Sequence, residues 1–392
     1  MNTSHPANPT IAFDTWALGG FARHQGIHVY AHALLAHFRE LSTGFSVEIA
    51  PYVFPGMDND ANAFPAGPGF RPTSTAMLKK SRLWRYGGAS TLASVRKADL
   101  VFSPNCTSLY AGISPPSVVT VHDAIPALLS AHSRRVGALL RFCLWWSVHS
   151  SRAIISVSQR SKRDIVDVYG VPESKITVIY HGYDKSAFNA APADAGLTQA
   201  LLRDLGIRKP YLLHHGVIKP QKNLRRLIQA YRLLRQRNRN LDLDLVLAGP
   251  LGWEYQDVLA EATRDPGAGA VILTGALDRP RLAALVKGAR LVVVPSLYEG
   301  FCLPLVESMA CGVPTIAANN SCLPEISGGG LRYFDPYSLD EMAACMEEAL
   351  EKNDVRNELI EKGTKRAQEF DWRRCAEQTL ALLAQHARRG RG

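Results

Sequence analysis

The chain alternates two hydrophobic rhythms. Short apolar runs stand at Thr10-Ile11-Ala12-Phe13-Asp14-Thr15, Leu100–Ser103 and Ser117–Val121, and again at Tyr211–His215 and residues 271–274, 291–295 and 313–317. Runs of this length, rich in β-branched residues, suit parallel strands covered on both faces. LDLDLVLAGP, from Leu241, reads as one more strand with its carboxyl end at Ala248-Gly249. Between the runs, apolar positions recur every three or four residues, as in residues 28–38 and from Leu224 onward. That is the spacing of a helix with one buried stripe. Asn223 reads as the N-cap of the helix after it, and Ser338 with Glu341 as a capping box opening a long helix. Phe370-Asp371-Trp372 reads as a break before a last helix. Alternating strands and helices predict an α/β fold, and 392 residues are too many for one typical core, so two doubly wound units are expected.

Composition removes several alternatives. No apolar run reaches eighteen residues and the opening MNTSHPANPT lacks a signal-peptide pattern, which predicts a cytoplasmic protein. The seven cysteines, at 106, 143, 302, 311, 322, 345 and 375, form no C-x-x-C pair and lie mostly in apolar or helical runs. They read as reduced core thiols, not as a disulfide frame or a zinc site. Net charge is +10, and the first 185 residues carry most of it, with 18 Lys/Arg against 11 Asp/Glu. No zinc-finger, helix-turn-helix or RNA-recognition pattern accompanies that charge, so no nucleic-acid partner is expected. An anionic membrane surface, which attracts each nearby cation by about 1 kcal/mol, is the other class of partner. Residues 55–75, rich in Pro, Gly and Asn, read as an exposed loop, and Lys79-Lys80-Ser81-Arg82-Leu83-Trp84-Arg85-Tyr86 follows them. This basic, aromatic segment has two readings: a peripheral contact with lipid headgroups, or a solvated helix face with one core Trp.

Candidate chemistry is densest in residues 295–314, PSLYEGFCLPLVESMACGVP. Gly300 permits a sharp turn after the strand, Pro304 suits a first helical position, and Gly312 suits the position after a helix, so residues 303–311 read as a short helix. Such a helix, starting at the carboxyl end of a parallel strand, directs the backbone N–H groups near Phe301, Cys302 and Leu303 into the crevice above the sheet, as an anion site. Glu299 and Glu307 flank it. A bare phosphate would be repelled by them, whereas a phosphate carrying hydroxyl-rich sugars would find acceptors. The other reading of Glu307 is complementation of the helix dipole, a modest effect of roughly 0.3–1 kcal/mol.

Four further places offer chemistry. His122-Asp123 ends the strand Ser117–Val121, where active residues of doubly wound folds lie; a His there can equally cap a helix or bond a neighbouring carbonyl. Gly216-Val217-Ile218-Lys219-Pro220-Gln221-Lys222-Asn223 follows the strand Tyr211–His215 and offers cations for an anionic ligand. Gly19, Gly20 and Gly26 follow the first strand without dinucleotide-binding spacing, and read as a turn or as a loop facing substrate. Asp242-Leu243-Asp244 opens a strand, so a D-x-D metal site is not expected.

Taken together these motifs resemble retaining glycosyltransferases of family 4, with the two-Rossmann-domain GT-B architecture. The resemblance rests on the Glu299-x7-Glu307 spacing with YEGF and LPLVESMACGVP, on Leu323-Pro324-Glu325, on PPSVVTVHDAIPALL, and on residues 152–188 with their GVP and HG-x-D elements. It implies an N-terminal Rossmann-like acceptor domain over 1–187, a C-terminal nucleotide-sugar domain over 188–370, and a helix in 371–392 that packs back on the first domain, the two domains facing a cleft. It also implies that Glu299 meets the donor sugar hydroxyls, Glu307 the ribose, and Lys222 the phosphates, with Gly216, Lys219, Phe301, Cys302 and Leu303 as donor contacts. His122 would approach donor sugar and acceptor, supported by Asp123 and a cleft loop containing Gly19 and Gly20, and Thr274-Gly275-Ala276-Leu277 would lie near the nucleobase. No metal and no cofactor are implied. Two positions depart from the family: Cys302 stands where it carries Gly, and Gln221 where it carries Arg. Phe102-Ser103-Pro104-Asn105, VHD and KPQKN look most like bacterial mannosyltransferases of O-antigen, capsule or exopolysaccharide assembly. The implied reaction is hexose transfer, with GDP-mannose as donor and a lipid-linked saccharide at the cytoplasmic membrane face as acceptor. The alternatives are a UDP-hexose donor, a small-metabolite acceptor, or a catalytically silent nucleotide-sugar binding subunit.

Overall fold

Every strand pairing between named strands is parallel, as the double-sided apolar runs require. The computed structural model describes residues 8–15, 18, 26–53, 66–71, 73–74, 98–106, 115–123, 134–264 and 269–388. The chain forms two compact units, residues 1–182 with 371–392, and residues 183–370.

In the first unit the strands are β1 (Thr10–Asp14), β2 (Glu48–Val53), β3 (Thr73–Ser74), β4 (Leu100–Ser103), β5 (Ser117–Val121), β6 (Ala153–Ser156) and β7 (Ile176–Val178), in the order β3-β2-β1-β4-β5-β6-β7. Its described helices are α1 (Gly26–Leu41), α2 (Arg134–Ser150), α3 (Gln159–Tyr169) and, from the far end of the chain, α12 (Trp372–Arg388). Trp372 of α12 lies beside Tyr30 of α1, with ring centroids 6.2 Å apart, and Arg388 donates to the Phe45 carbonyl at 3.0 Å.

The second unit has β8 (Tyr211–His215), β9 (Asp244–Ala248), β10 (Val271–Gly275), β11 (Leu291–Val294), β12 (Thr315–Ala318) and β13 (Arg332–Phe334), in the order β10-β9-β8-β11-β12-β13. Its helices are α4 (Ala195–Asp204), α5 (Leu224–Arg237), α6 (Gln256–Thr263), α7 (Arg279–Lys287), α8 (Leu303–Ala310), α9 (Leu323–Ile326), α10 (Leu339–Glu351) and α11 (Asn353–Ala367). Strand order reverses between β1 and β4 in one sheet and between β8 and β11 in the other. A reversal sends the two following connections to opposite faces and opens a crevice at the strands' carboxyl ends.

Several local expectations change in the folded chain. Within residues 55–75, Phe70 is completely buried, and β3 pairs Tyr52 with Thr73 and Val53 with Ser74. A short edge strand does not need enough apolar residues to show above its Pro and Gly neighbours. The helix opened by Ser338 stops at Glu351, because Lys352 adopts extended φ −92°, ψ 107°, and a second helix follows. The capping box is only half formed. The Glu341 N–H donates to Ser338 Oγ at 3.2 Å, but the Glu341 carboxylate accepts from the Asp335 N–H at 3.0 Å and so closes the preceding turn.

Asn223 occupies the N-cap position of α5 but does not cap it. Its backbone is left-handed, φ 58°, ψ 29°, which turns the side chain away from the helix N–H groups. Nδ2 donates instead to the Pro295 and Pro336 carbonyls at 3.1 and 2.7 Å, tying the turn before α5 to the loops after β11 and β13. Asn is among the few residues besides Gly that enter the left-handed region readily. Asn223→Ala is therefore expected to destabilise the protein by about 2–4 kcal/mol, through two buried carbonyls left without donors and a strained backbone. Asn223→Gly, which relieves only the backbone part, should cost about 1 kcal/mol less. Urea unfolding with an unchanged m-value is the measurement.

Candidate functional site

The reversal between β8 and β11 brings together the loops that hold most of the predicted site residues. After β11 the chain runs to Cys302, whose backbone is left-handed at φ 69°, and α8 begins at Leu303 with Pro304 in its first turn. The turn before α8 is held at three points. The Leu297 N–H donates to the Gln221 carbonyl at 2.8 Å, Asn320 Nδ2 donates to the Leu297 carbonyl at 2.9 Å, and the Glu299 N–H donates to Ser321 Oγ at 3.2 Å. Glu299 is thereby placed against Lys222, whose Nζ lies 2.6 Å from Oε1. Burial alone would pull the Lys222 pKa down. The charge and hydrogen bond of Glu299, together with the nearby Cys302 and Cys322 thiols, outweigh it jointly, the pKa rises, and the ammonium is retained.

Gly216, directly after β8, completes this corner. A Cβ there would sit 3.8 Å from both Lys222 Nζ and Pro304 Cγ, so the strand end, the cation and the first turn of α8 share one small volume. Behind it, a Cβ at Gly249 would fall 2.0 Å from the Gly216 carbonyl oxygen, and only glycine lets the ends of β8 and β9 approach this closely.

Glu307 lies in the second turn of α8, beyond the four exposed N–H groups, so the dipole reading does not describe it. It is buried, and Oε1 accepts from Arg279 Nη1 at 2.9 Å. Burial raises its pKa, the nearby Asp184 charge adds to the rise, and Arg279 opposes both. Arg279 stands at the first residue of α7, its guanidinium 4.8 Å from the Phe188 ring centroid and its Nε 3.7 Å from Asp184. His215 Nδ1 is 3.8 Å from the other Glu307 oxygen, and its Nε2 is 3.0 Å from Ser308 Oγ. Burial takes the His215 and His214 pKa values down to about 3, so both rings are neutral near pH 7.

The remaining predicted residues fall in several places. Lys219 sets its ammonium 5.0 Å from the Trp253 ring centroid. Phe301 packs edge-on against Phe370 at 5.3 Å, which turns its ring into the core and leaves only its backbone as a donor-site candidate. Cys302 is buried, and that burial lifts its thiol to about 12. All seven cysteines are buried, and disulfide bridges are absent among them, as expected of core thiols in apolar segments.

In the first unit, His122 Nε2 lies 2.8 Å from the Pro104 carbonyl and must donate to it, which leaves Nδ1 as the acceptor nitrogen. Burial lowers its pKa to about 4. The ring meets Tyr30 edge-on at 5.0 Å and His181 at 5.4 Å. Asp123 is half-buried, and its charge adds to the effect of burial in raising the Cys106 thiol and the Tyr169 phenol. Gly19, Gly20 and the segment 79–86 lie outside the described residues. Asp242 precedes β9 and pairs with Lys209 at 2.8 Å, and among the described residues no three His, Cys, Asp or Glu side chains gather as a metal site.

Sequence reasoning passed over Arg279. Its signal was small: a cation at the first position of a helix opposes the dipole, although the N-cap carboxylate of Asp278, which accepts from the Arg281 N–H at 2.9 Å, offsets it. A residue so placed against local preference invites a search for a distant carboxylate. His215 gave no such sign, since it reads as one more member of a buried strand.

Residues 24–187 match the family described as Glycosyltransferase Family 4, and residues 201–366 match Glycosyl transferases group 1. The O-antigen chain mannosyltransferase B of Escherichia coli is 31% identical over 265 residues, covering 67% of this chain and 69% of that protein. The serotype-specific mannosyltransferase WbdA of the same species is 28% identical over 226 residues, covering 57% of this chain and 28% of that protein. In three dimensions the chain is similar to Anabaena Alr3699/HepE in complex with UDP and glucose, with a TM-score of 0.73 and 18% identity, covering 96% of this chain and 100% of that one. The chain belongs to glycosyltransferase family 4 and has the GT-B fold.

Proposed function

We propose that the protein transfers mannose from GDP-mannose to a hydroxyl of a lipid-linked saccharide during cell-surface polysaccharide synthesis, with retention at the anomeric carbon. The observation that carries this reading is the two ion pairs beside the start of α8, half-buried Glu299 on buried Lys222 and buried Glu307 on the partly exposed Arg279. A carboxylate kept ionised inside a protein is a strong acceptor for hydroxyl donors, and a sugar with a ribose supplies them at two places. Glu299 takes the hexose hydroxyls and Glu307 the ribose diol. The diphosphate lies at Lys222 and Gly216, with Lys219 near and the backbone of Phe301, Cys302 and Leu303 at the start of α8 directed to its oxygens. Mannose and the saccharide context follow the names of the E. coli relatives, and GDP follows the sequence resemblance.

In the transfer step the bond from the anomeric carbon to the diphosphate oxygen breaks, and the acceptor oxygen bonds to the same face of that carbon. The acceptor proton passes to the departing diphosphate, whose charge Lys222 stabilises. On the first unit, His122 holds an acceptor hydroxyl through neutral Nδ1, with Asp123 and the glycine loop containing Gly19 and Gly20 in support. The reading requires neither a metal nor a cofactor.

Calorimetric titration in EDTA with GDP-mannose, UDP-glucose and UDP-N-acetylglucosamine tests the donor. GDP-mannose alone should bind, and Glu307→Ala should abolish binding. Binding of a UDP-sugar instead would replace the donor, and equal binding by the variant would remove Glu307 from the site. Lys222→Ala should lower turnover roughly 100-fold or more, as loss of a charge stabiliser does, and an unchanged rate excludes it from the step.

Arg279→Met removes the one group that opposes burial and Asp184 at Glu307, with the neutral His215 unable to replace it, so the Glu307 pKa rises further. A carboxylic acid accepts hydroxyls less well than a carboxylate, so donor affinity in the variant should begin to fall at a higher pH on acidification than in the parent. Coincident affinity-versus-pH curves would show that Arg279 does not hold Glu307 ionised.

A further inference from the structure

Helix α2 has two faces of opposite character. Cys143, Leu144, Ser147 and Val148 are buried, Leu144 and Val148 in a core cluster with Val119 and Ile154. On the other side Phe142, Trp145 and Trp146 are 51%, 46% and 36% exposed, and Arg141 and His149 stand exposed beside them. The three aromatics form one patch, with Phe142 centred 6.3 Å from each indole. The other exposed large apolar residues of the described chain, Val168, Leu197, Leu251 and Tyr337, are dispersed among other segments. Isolated exposed apolar residues need no explanation, whereas a contiguous aromatic patch marks a surface that something covers.

We propose that this face of α2 docks on an anionic lipid bilayer, with Phe142, Trp145 and Trp146 at the headgroup level. Charge decides between occupants. The helix, RRVGALLRFCLWWSVHS, has three arginines and no acid, and the first 185 residues carry most of the net positive charge. A second copy docked face to face would bring the arginines of both helices into one interface with no carboxylate on either helix to compensate. A bilayer with acidic headgroups supplies the missing counter-charge, and its interface is where indole rings with an apolar body and a polar N–H partition. The C-terminal end of α2 is fastened by Lys175, whose Nζ donates to the Val148 and His149 carbonyls at 2.7 Å each, so the patch sits on a rigid support. Among the described residues no helix is long and apolar enough to cross a membrane, so this is a surface contact. The inference is independent of the donor proposed above, since lipid binding is scored without any nucleotide sugar.

The test is flotation of the full chain with phosphatidylcholine vesicles and with vesicles that also contain phosphatidylglycerol. The parent should float with the anionic vesicles. The triple variant Phe142→Ser, Trp145→Ser, Trp146→Ser should bind at least about tenfold more weakly, and Arg141→Glu should lose the preference for anionic lipid. Circular dichroism checks the fold, and the single Trp145→Ser carries the test if the triple variant does not fold. Four results would overturn the proposal. The parent fails to float; the triple variant floats as well as the parent; neutralising Lys79, Lys80, Arg82 and Arg85 abolishes flotation while the triple variant keeps it; or the parent is a dimer that the triple variant splits, without lipid binding.

Discussion

The second unit is organised around two carboxylates, Glu299 and Glu307, each set against a cation in a part of the fold that little water reaches. Glu307 is 4% exposed, and an ionised carboxylate so placed is tolerated only with a cation and hydrogen bonds around it. Removing one partner of such a buried pair costs on the order of 3–5 kcal/mol. That constraint explains arrangements otherwise unrelated. Arg279 begins a helix against the dipole because Glu307 requires it there, and Phe188 and Asp184 hold its guanidinium in place. Lys222 ends a tight turn whose exit, Asn223, is left-handed and bolted to two loops, which fixes the ammonium at Glu299. Beneath the same corner, Gly249 is confined to glycine by the close approach of two strand ends and Gly216 by its φ of 136°.

The two departures from the family pattern fall at this corner and differ in physical consequence. Cys302 has φ 69°, a conformation that disfavours every side chain with a Cβ, which accounts for glycine as the family's usual residue. The chain bears that strain and leaves the thiol buried and protonated, so the position contributes backbone direction and no charge. Gln221 is also buried, and its carbonyl receives the Leu297 N–H that helps position the Glu299 turn. Its backbone role survives the loss of the arginine, whereas the cation does not. Lys219, the nearest cation in the same segment, sets its ammonium over the ring of Trp253.

The strands were legible because burial on both faces leaves an unbroken apolar run, and β4, β5 and β8 appear at the expected residues. The α8 boundaries were legible for a different reason: Pro304 and Gly312 are written for particular backbone angles that few other residues satisfy. What escaped was non-local. Arg279 and Glu307 are 28 residues apart, and nothing in the period of either segment relates them. Asn223 has the composition of a cap, yet its side chain serves carbonyls 72 and 113 residues away. β3 and Phe70 escaped because two residues on a sheet edge leave no periodicity to read. The aromatic face of α2 escaped because a run such as LLRFCLWW does not show by itself which of its aromatic residues face water.

Charge in the α8 corner also bears on how a donor is held. Two cations face two carboxylates, and the adjacent His214 and His215 are neutral, so these groups sum to no net charge. A nucleoside diphosphate therefore does not meet a strongly positive site, and affinity cannot come from net attraction alone. It must come from re-pairing. In the proposed donor complex, hydroxyls at Glu299 and Glu307 would replace part of what each carboxylate draws from its cation, and the freed donor capacity of Lys222 would turn to phosphate oxygens beside the start of α8. A free phosphate supplies no hydroxyls and would leave both carboxylates facing an anion, whereas a bare sugar supplies no acceptor for the released ammonium. Only a ligand with both parts satisfies every group, and discrimination of this kind depends on unpaired buried groups in the wrong complex more than on attraction in the right one.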